Sequence, residues 1–148
     1  MSLRLSSVAF DQNGEIPSVH TCDGDGTPPP LKWSEAPPGT KSFVLIVDDP
    51  DAPDPNAPRR TFVHWVAYDI PRSATTLEAQ GREGFNDEEQ RGYSGPCPPV
   101  GRHRYFFKLY ALDIELGDLG SPTKAKLERA MDGHVLDHAE LVGTYERH

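Results

Sequence analysis

Fifteen prolines run from Pro17 to Pro122, and that spread excludes a bundle of long helices. A proline inside a helix removes a backbone donor and drives its ring into the preceding turn. With 13 glycines, the prolines account for about a fifth of the chain, below the level that marks a low-complexity sequence. Thirteen aromatic residues and several apolar runs argue against disorder. A length of 148 residues suits one domain with a real core. The formal charge is −8, and no basic patch stands out. Both points speak against a nucleic-acid partner.

Strand signals dominate. Phe43-Val44-Leu45-Ile46-Val47 is short, apolar and β-branched, and Asp48-Asp49-Pro50 bounds it. Phe62 to Tyr68 is apolar on both alternating faces, which suits a strand covered on both sides. Tyr105 to Leu112 is a third strand. In the tail, Ala139, Leu141, Gly143 and Tyr145 alternate with Glu140, Val142, Thr144 and Glu146, a period of two with one buried face. One helix is expected before that tail: Ser121 as its cap, Pro122 in its first turn, Leu127, Ala130 and Met131 on one face, and Gly133 as its stop. The chain reads as one mostly-β domain over residues 1–148, a sandwich in class. Three loops rich in proline and glycine are expected, Cys22 to Pro38, Asp48 to Arg60 and Gly92 to Arg102.

The N-terminal residues show no apolar core of a signal peptide. Phe43 to Val47 is the longest fully apolar run, far too short for a transmembrane segment. The cytoplasm is therefore the expected location. Cys22 and Cys97 form no CxxC pair, so a zinc site has no support. They can close one long-range disulfide or remain two small, half-buried thiols, and the second reading suits a cytosolic chain better.

Three groups of residues could carry chemistry. Asp48, Asp49, Asp51 and Asp54 place four carboxylates within seven residues. Prolines interrupt them, and Arg59 stands where a calcium loop needs Glu. A metal is not expected; a turn whose Asp side chains bond their own backbone is the plainer reading. His64 sits in an apolar strand, where a lone histidine is usually a satisfied core group. Gly92 to Arg102 carries three glycines and three prolines and leads into His103-Arg104-Tyr105. Glycine lets backbone N–H groups approach an anion. His103 and Tyr105, two apart, share a face in an extended chain. Asp49, His64 and Ser94 assemble into a triad only on paper, since Ser94 lacks the nucleophile-elbow pattern.

Taken in order, Asp-Pro-Asp-Ala-Pro at 49–53, His-Trp at 64–65 with Asp-Ile-Pro at 69–71, and Gly-Pro-x-Pro-Pro-x-Gly-x-His-Arg-Tyr at 95–105 are together specific. With Thr21-Cys22-Asp23-Gly24, Leu31-Lys32-Trp33 and the Ala130 to Tyr145 tail, the chain resembles the phosphatidylethanolamine-binding protein family, also called the Raf kinase inhibitor protein family. Within it the resemblance is to the bacterial and archaeal Raf-kinase-inhibitor-like branch. It implies a large central antiparallel sheet, a smaller sheet and a helix near the C-terminus. It also implies a small anion-binding pocket at one end of the sheet, for phosphate, phosphoethanolamine or carboxylate groups. The positions that match the family's pocket are Asp49, Asp51, Pro53, His64, Gly95, Pro96, His103 and Tyr105, and Ala52–Pro53 matches its cis peptide.

The resemblance makes the chain a ligand-binding or regulatory module with no cofactor and no catalytic residue. Its candidate partners are a small anionic ligand, a second copy of the chain as a homodimer, and a protein target such as a kinase or protease. The alternative is an inhibitor of such an enzyme acting through a rigid loop. A hydrolase using Asp49 and His64 as acid and base ranks below both. A nearby Asp is expected to raise the pKa of His64, so anions should bind better below neutral pH.

Overall fold

The computed structural model describes residues 2–77 and 81–147. Two sheets and one helix make the fold. The large sheet is built from β2 (Gly14–Glu15), β4 (Ser42–Ala52), β5 (Arg60–Pro71), β7 (Arg82–Glu83), β8 (His103–Leu112) and β9 (Val135–Tyr145), in the order β2-β9-β8-β4-β5-β7. The small sheet joins β1 (Arg4–Ser6), β3 (Leu31–Ser34) and β6 (Thr76–Leu77), in the order β1-β3-β6. All the pairings are antiparallel except β2 with β9.

The central strands are apolar on both faces because both faces are covered. Phe43, Leu45 and Val47 of β4 point to the small sheet and pack with Leu5, Leu31, Trp33 and Phe107. Val44 and Ile46 point the other way, onto Leu127 and Met131 of helix α1 (Lys124–Met131). This two-sided burial turns the period-two signal into a continuous apolar run. The helix is also fixed to the sheet by charge. Asp48 is buried, and its Oδ2 accepts from Lys124 Nζ at 2.8 Å and Lys108 Nζ at 3.1 Å.

The strands expected from sequence are present and longer than their apolar cores. Pairing continues β4 through Asp48-Asp49-Pro50-Asp51 to Ala52, so the expected loop from Asp48 to Arg60 shrinks to residues 53–59. The first expected loop contains β3, in which Leu31 and Trp33 are buried and Lys32 and Ser34 exposed. The helix begins later than expected. Its cap is Thr123, whose side chain accepts from the Lys126 N–H. Ser121 instead accepts a hydrogen bond from Arg91. Among the described residues no helix is long and apolar enough to cross a membrane.

The two cysteines are bonded to each other, which corrects the reading of them as free thiols. Cys22 and Cys97 form a disulfide across 75 positions. The loop from Gly92 to Arg102 lies directly against the Val19–Asp23 segment. The Cys22 N–H donates to the Pro96 carbonyl at 3.1 Å, and the Tyr93 hydroxyl donates to the His20 carbonyl at 2.6 Å. Gly95 permits the approach: a Cβ there would stand 2.9 Å from the His20 oxygen and 3.0 Å from the Thr21 Cα. Those contacts bring the two sulfurs together, and spacing alone does not reveal them.

Candidate functional site

The ends of β4, β5 and β8 and the Gly92–Arg102 loop enclose a cavity of about 370 Å³. Its wall includes Asp49, Ala52 and Pro53 from β4 and its exit, Phe62 and His64 from β5, and His103 and Tyr105 from β8. Gly95, Cys97, Pro98 and Pro99 come from the loop, and Arg59, Arg60 and Glu88 complete the wall. Strand register makes this convergence. β4 lies between β5 and β8, with Asp49 opposite Phe62 and Asp48 opposite Phe106. His103 and Tyr105, both buried, face the same way along β8.

Asp49 is committed to the protein. Its Oδ1 accepts the Asp51 N–H at 2.7 Å, and its Oδ2 meets His103 Nδ1 at 2.5 Å. The other nitrogen of His103 faces two carbonyls, Val100 at 2.8 Å and Pro53 at 3.1 Å. Carbonyls only accept, so His103 Nε2 carries a proton. His103 thus bridges the two walls and offers a ligand no free nitrogen. The Ala52–Pro53 peptide beside it is cis.

His64 differs. Its Nδ1 is 2.7 Å from the Ser94 carbonyl, and the Ser94 N–H returns a bond of 2.8 Å to the His64 carbonyl. The carbonyl fixes the proton on Nδ1 and leaves Nε2 as a bare acceptor in the neutral ring. Burial pushes the His64 pKa below its ordinary value; the Ser94 carbonyl and the charges of Asp49, Asp87 and Glu88 oppose that shift without overcoming it. This reverses the expectation of a raised pKa. Asp49 serves His103 and bonds no nitrogen of His64, so desolvation decides. The ring is packed between Phe62, at 4.8 Å between centroids, and Tyr105, at 5.2 Å and edge-on.

Tyr105 supplies the unresolved group. Its hydroxyl is sealed from solvent and has no hydrogen-bond partner among the described residues. Burial pushes its pKa up, reinforced by Asp49, so it stays a neutral donor.

Six of the eight positions singled out from the sequence line the cavity: Asp49, Pro53, His64, Gly95, His103 and Tyr105. Asp51 and Pro96 do not. A register shift between Asp49 and Ala52 turns Asp51 onto Arg104, whose Nη2, Nε and backbone N–H donate to it at 2.8, 3.0 and 2.9 Å. Arg104 thereby holds the Asp51 pKa below the usual carboxylate value. Pro96 is buried with its carbonyl on Cys22. The triad of Asp49, His64 and Ser94 does not form, because Ser94 meets His64 through its backbone.

Sequence reasoning missed Arg59 and Arg60. Arg60 pairs with Asp87 at 3.0 Å and lies over the Phe62 ring. Arg59 is exposed at the mouth, and its guanidinium meets no carboxylate among the described residues. Two arginines just before an apolar strand were the available signal.

A wider depression of about 750 Å³ lies between β1, β3 and β9. One of its cations, Arg4, pairs with Glu35 at 3.0 Å, and no comparable convergence of side chains is found there. Among the described residues no group of three or more His, Cys, Asp or Glu is arranged to hold a metal ion.

Comparison with known proteins bears on this geometry. The family model described as Phosphatidylethanolamine-binding protein matches residues 6–146. The chain belongs to the phosphatidylethanolamine-binding protein family. It is 45% identical to a UPF0098 protein of Methanothermobacter thermautotrophicus, across 98% of this chain and 99% of that one. Its fold matches the crystal structure of a putative family homolog, CT736, from Chlamydia trachomatis. The TM-score is 0.93 with 42% identity, covering 99% of both chains. E. coli YbcL, described as a new member of the mammalian family, matches with a TM-score of 0.87 and 29% identity, covering both chains in full. These matches place the chain in the bacterial and archaeal branch of the family.

Proposed function

We propose that this chain is a binding module for a small anionic ligand, with no covalent chemistry of its own. The observation that carries the reading is the Tyr105 hydroxyl, buried and unpartnered in the wall of the cavity. An unmet buried hydroxyl costs about 1–3 kcal/mol, and a ligand acceptor in the cavity would recover that loss. The wall also carries Arg59, which can attract an anion from solvent. The family name makes a phospholipid head group a natural ligand class, with phosphate, phosphoethanolamine and simple carboxylates as its fragments.

Two commitments favour binding over hydrolysis. Asp49 is held by His103 and the Asp51 N–H, and Cys97 is closed in its disulfide. A hydrolase would need an acid and base in contact with a nucleophile, and Asp49 and His64 do not hydrogen-bond each other.

Calorimetric titration of the intact chain with phosphoethanolamine, inorganic phosphate and acetate tests the reading. Saturable binding, weakened at least tenfold by Tyr105→Phe, is expected. Absence of binding by all three probes, or affinities untouched by Tyr105→Phe, overturns it.

A further inference from the structure

The inner end of the cavity holds one donor and one acceptor that the protein leaves unmet. The Tyr105 hydroxyl is buried without a partner among the described residues, and as a neutral phenol it can donate to an anion. The acceptor is His64. Its Nδ1 lies 2.7 Å from the Ser94 carbonyl, which keeps the ring proton on that side. Its Nε2 bonds no described residue. The ring lines the cavity and stands edge-on to Tyr105, with 5.2 Å between centroids. Nε2 therefore turns a lone pair, not a proton, toward a ligand.

The charges around this end admit an anion. Both Asp49 oxygens are engaged, by the Asp51 N–H and by His103. His103 faces acceptors at both nitrogens, Asp49 on one side and the Val100 and Pro53 carbonyls on the other. The pair thus holds a proton that offsets the carboxylate charge. Asp87 and Glu88 are exposed to water, and Arg59 and Arg60 stand in the same wall as Glu88. Burial keeps His64 neutral against the pull of Asp49, Asp87 and Glu88. An anion with no proton meets a mismatch here. One oxygen can accept from Tyr105, but another brings its lone pairs against that of Nε2, and both side chains are buried from the water that would soften the repulsion. An oxyanion with one O–H satisfies both residues. A site built around a required hydrogen discriminates strongly against the analogue that lacks it.

We propose that the pocket selects an oxyanion that carries its own proton, a hydrogen phosphate or a phosphate monoester with one P–OH, seated with an oxygen on the Tyr105 hydroxyl and its P–OH on His64 Nε2. This rests on the small-anion reading above and narrows it to a chemical class. His64 is then the residue that reads the proton, and Tyr105 the one that holds the anion. Sulfate is the natural control, because it shares the shape and charge of hydrogen phosphate and lacks only the proton. A phosphate monoester loses its last proton at about pH 6, so at higher pH it must take one up as it binds.

Titration calorimetry of the full chain at pH 7.5 with inorganic phosphate, sulfate and phosphoethanolamine, each in two buffers of different ionisation heat, tests it. Phosphate should bind at least tenfold more tightly than sulfate. Phosphoethanolamine should bind with proton uptake, and its affinity should rise toward pH 6 as the ligand itself gains that proton. His64→Phe, which keeps a ring and removes the acceptor, should bring phosphate and sulfate to nearly equal affinity. Tyr105→Phe should weaken both and keep their ratio. A merely structural role of His64 would lower both affinities together. If His64→Phe folds poorly, proton uptake by the parent protein decides. Equal affinity of the parent for phosphate and sulfate overturns the proposal. So does phosphoethanolamine binding without proton uptake, or a preference for phosphate that survives in folded His64→Phe. Each of these results leaves the small-anion reading standing. If no anion binds, both readings fail.

Discussion

His103 Nδ1 lies 2.5 Å from Asp49 Oδ2, and both side chains are almost wholly buried. The pair ties β8 to β4, and His103 Nε2 ties both to the carbonyls of Pro53 and Val100. Removing one partner leaves the other buried with an unmet hydrogen bond, a change that costs about 3–5 kcal/mol for a buried ion pair. His103→Ala and Asp49→Ala should therefore each lower the denaturant midpoint substantially. Arg104→Ala removes a half-exposed guanidinium from the buried Asp51, which keeps the backbone N–H of position 104 as a donor, and should cost less, about 1–3 kcal/mol. Urea unfolding of the three variants checks the order; equal losses would refute a special role for the His103–Asp49 pair.

Tyr105→Phe should separate stability from binding. The hydroxyl has no partner among the described residues, so deleting it removes a desolvation penalty and breaks no internal bond. The variant should be as stable as the parent, or up to about 1 kcal/mol more stable, while losing affinity for its ligand. Thermal melts and calorimetry on the same samples test this. A clear loss of stability would reveal a hydrogen bond that the structure does not contain.

How far the sequence reached depends on which force set each feature. The strands through Phe43, Phe62 and Tyr105 were legible because two-sided burial writes continuous apolar runs. β3 was hidden because Leu31-Lys32-Trp33-Ser34 holds only four residues of alternation after three prolines. Strands of two or three residues, such as β2 and β6, contain no period to read. At the site, the motifs brought out Asp49, His64, His103 and Tyr105, but not which carboxylate meets which imidazole. His64 is nearer to Asp49 in sequence, yet β8 carries His103 to it across a separation of 54. That choice depends on strand order and on the bulge between Asp49 and Ala52, both long-range features. Arg59 escaped notice because a loop arginine reads as a solvated charge until a cavity opens beside it.

The lowered pKa of His64 gives a pH dependence with a definite sign. Burial holds the folded ring below its ordinary value of 6.5. Between those two pKa values the unfolded chain binds a proton that the folded chain does not, so stability falls as pH drops through about 6.5. The loss continues until the folded ring itself is protonated, with a slope of at most ~1.4 kcal/mol per pH unit from this group. Asp51, also lowered, acts only further down, because its stabilisation is complete above its ordinary 3.8 and is lost as pH falls below it. The difference in unfolding free energy between the parent and His64→Asn should therefore change from pH 7.5 to 5.5. A constant difference over that range would count against a buried neutral ring.

The disulfide gives the last prediction. Cys22 and Cys97 close a loop of 75 positions, and the chain-entropy estimate for such a loop is roughly 4 kcal/mol. Cys97 also lines the cavity, and its loop carries Gly95, Pro98 and Pro99 into the same wall. Other contacts hold that loop without the sulfurs, among them the Tyr93 hydroxyl on the His20 carbonyl and the paired bonds of Ser94 to the ring and the carbonyl of His64. Cys22→Ser/Cys97→Ser should therefore unfold at lower denaturant, by up to roughly 4 kcal/mol, and still fold. Its affinity for phosphoethanolamine should fall less than that of Tyr105→Phe, because Tyr105 and His64 are placed by β8 and β5 and the His64–Ser94 bonds do not depend on the crosslink. Denaturation with and without a dithiol reductant, followed by titration of the folded variant, measures both effects. An unchanged midpoint on reduction would show that the crosslink does not constrain the unfolded chain.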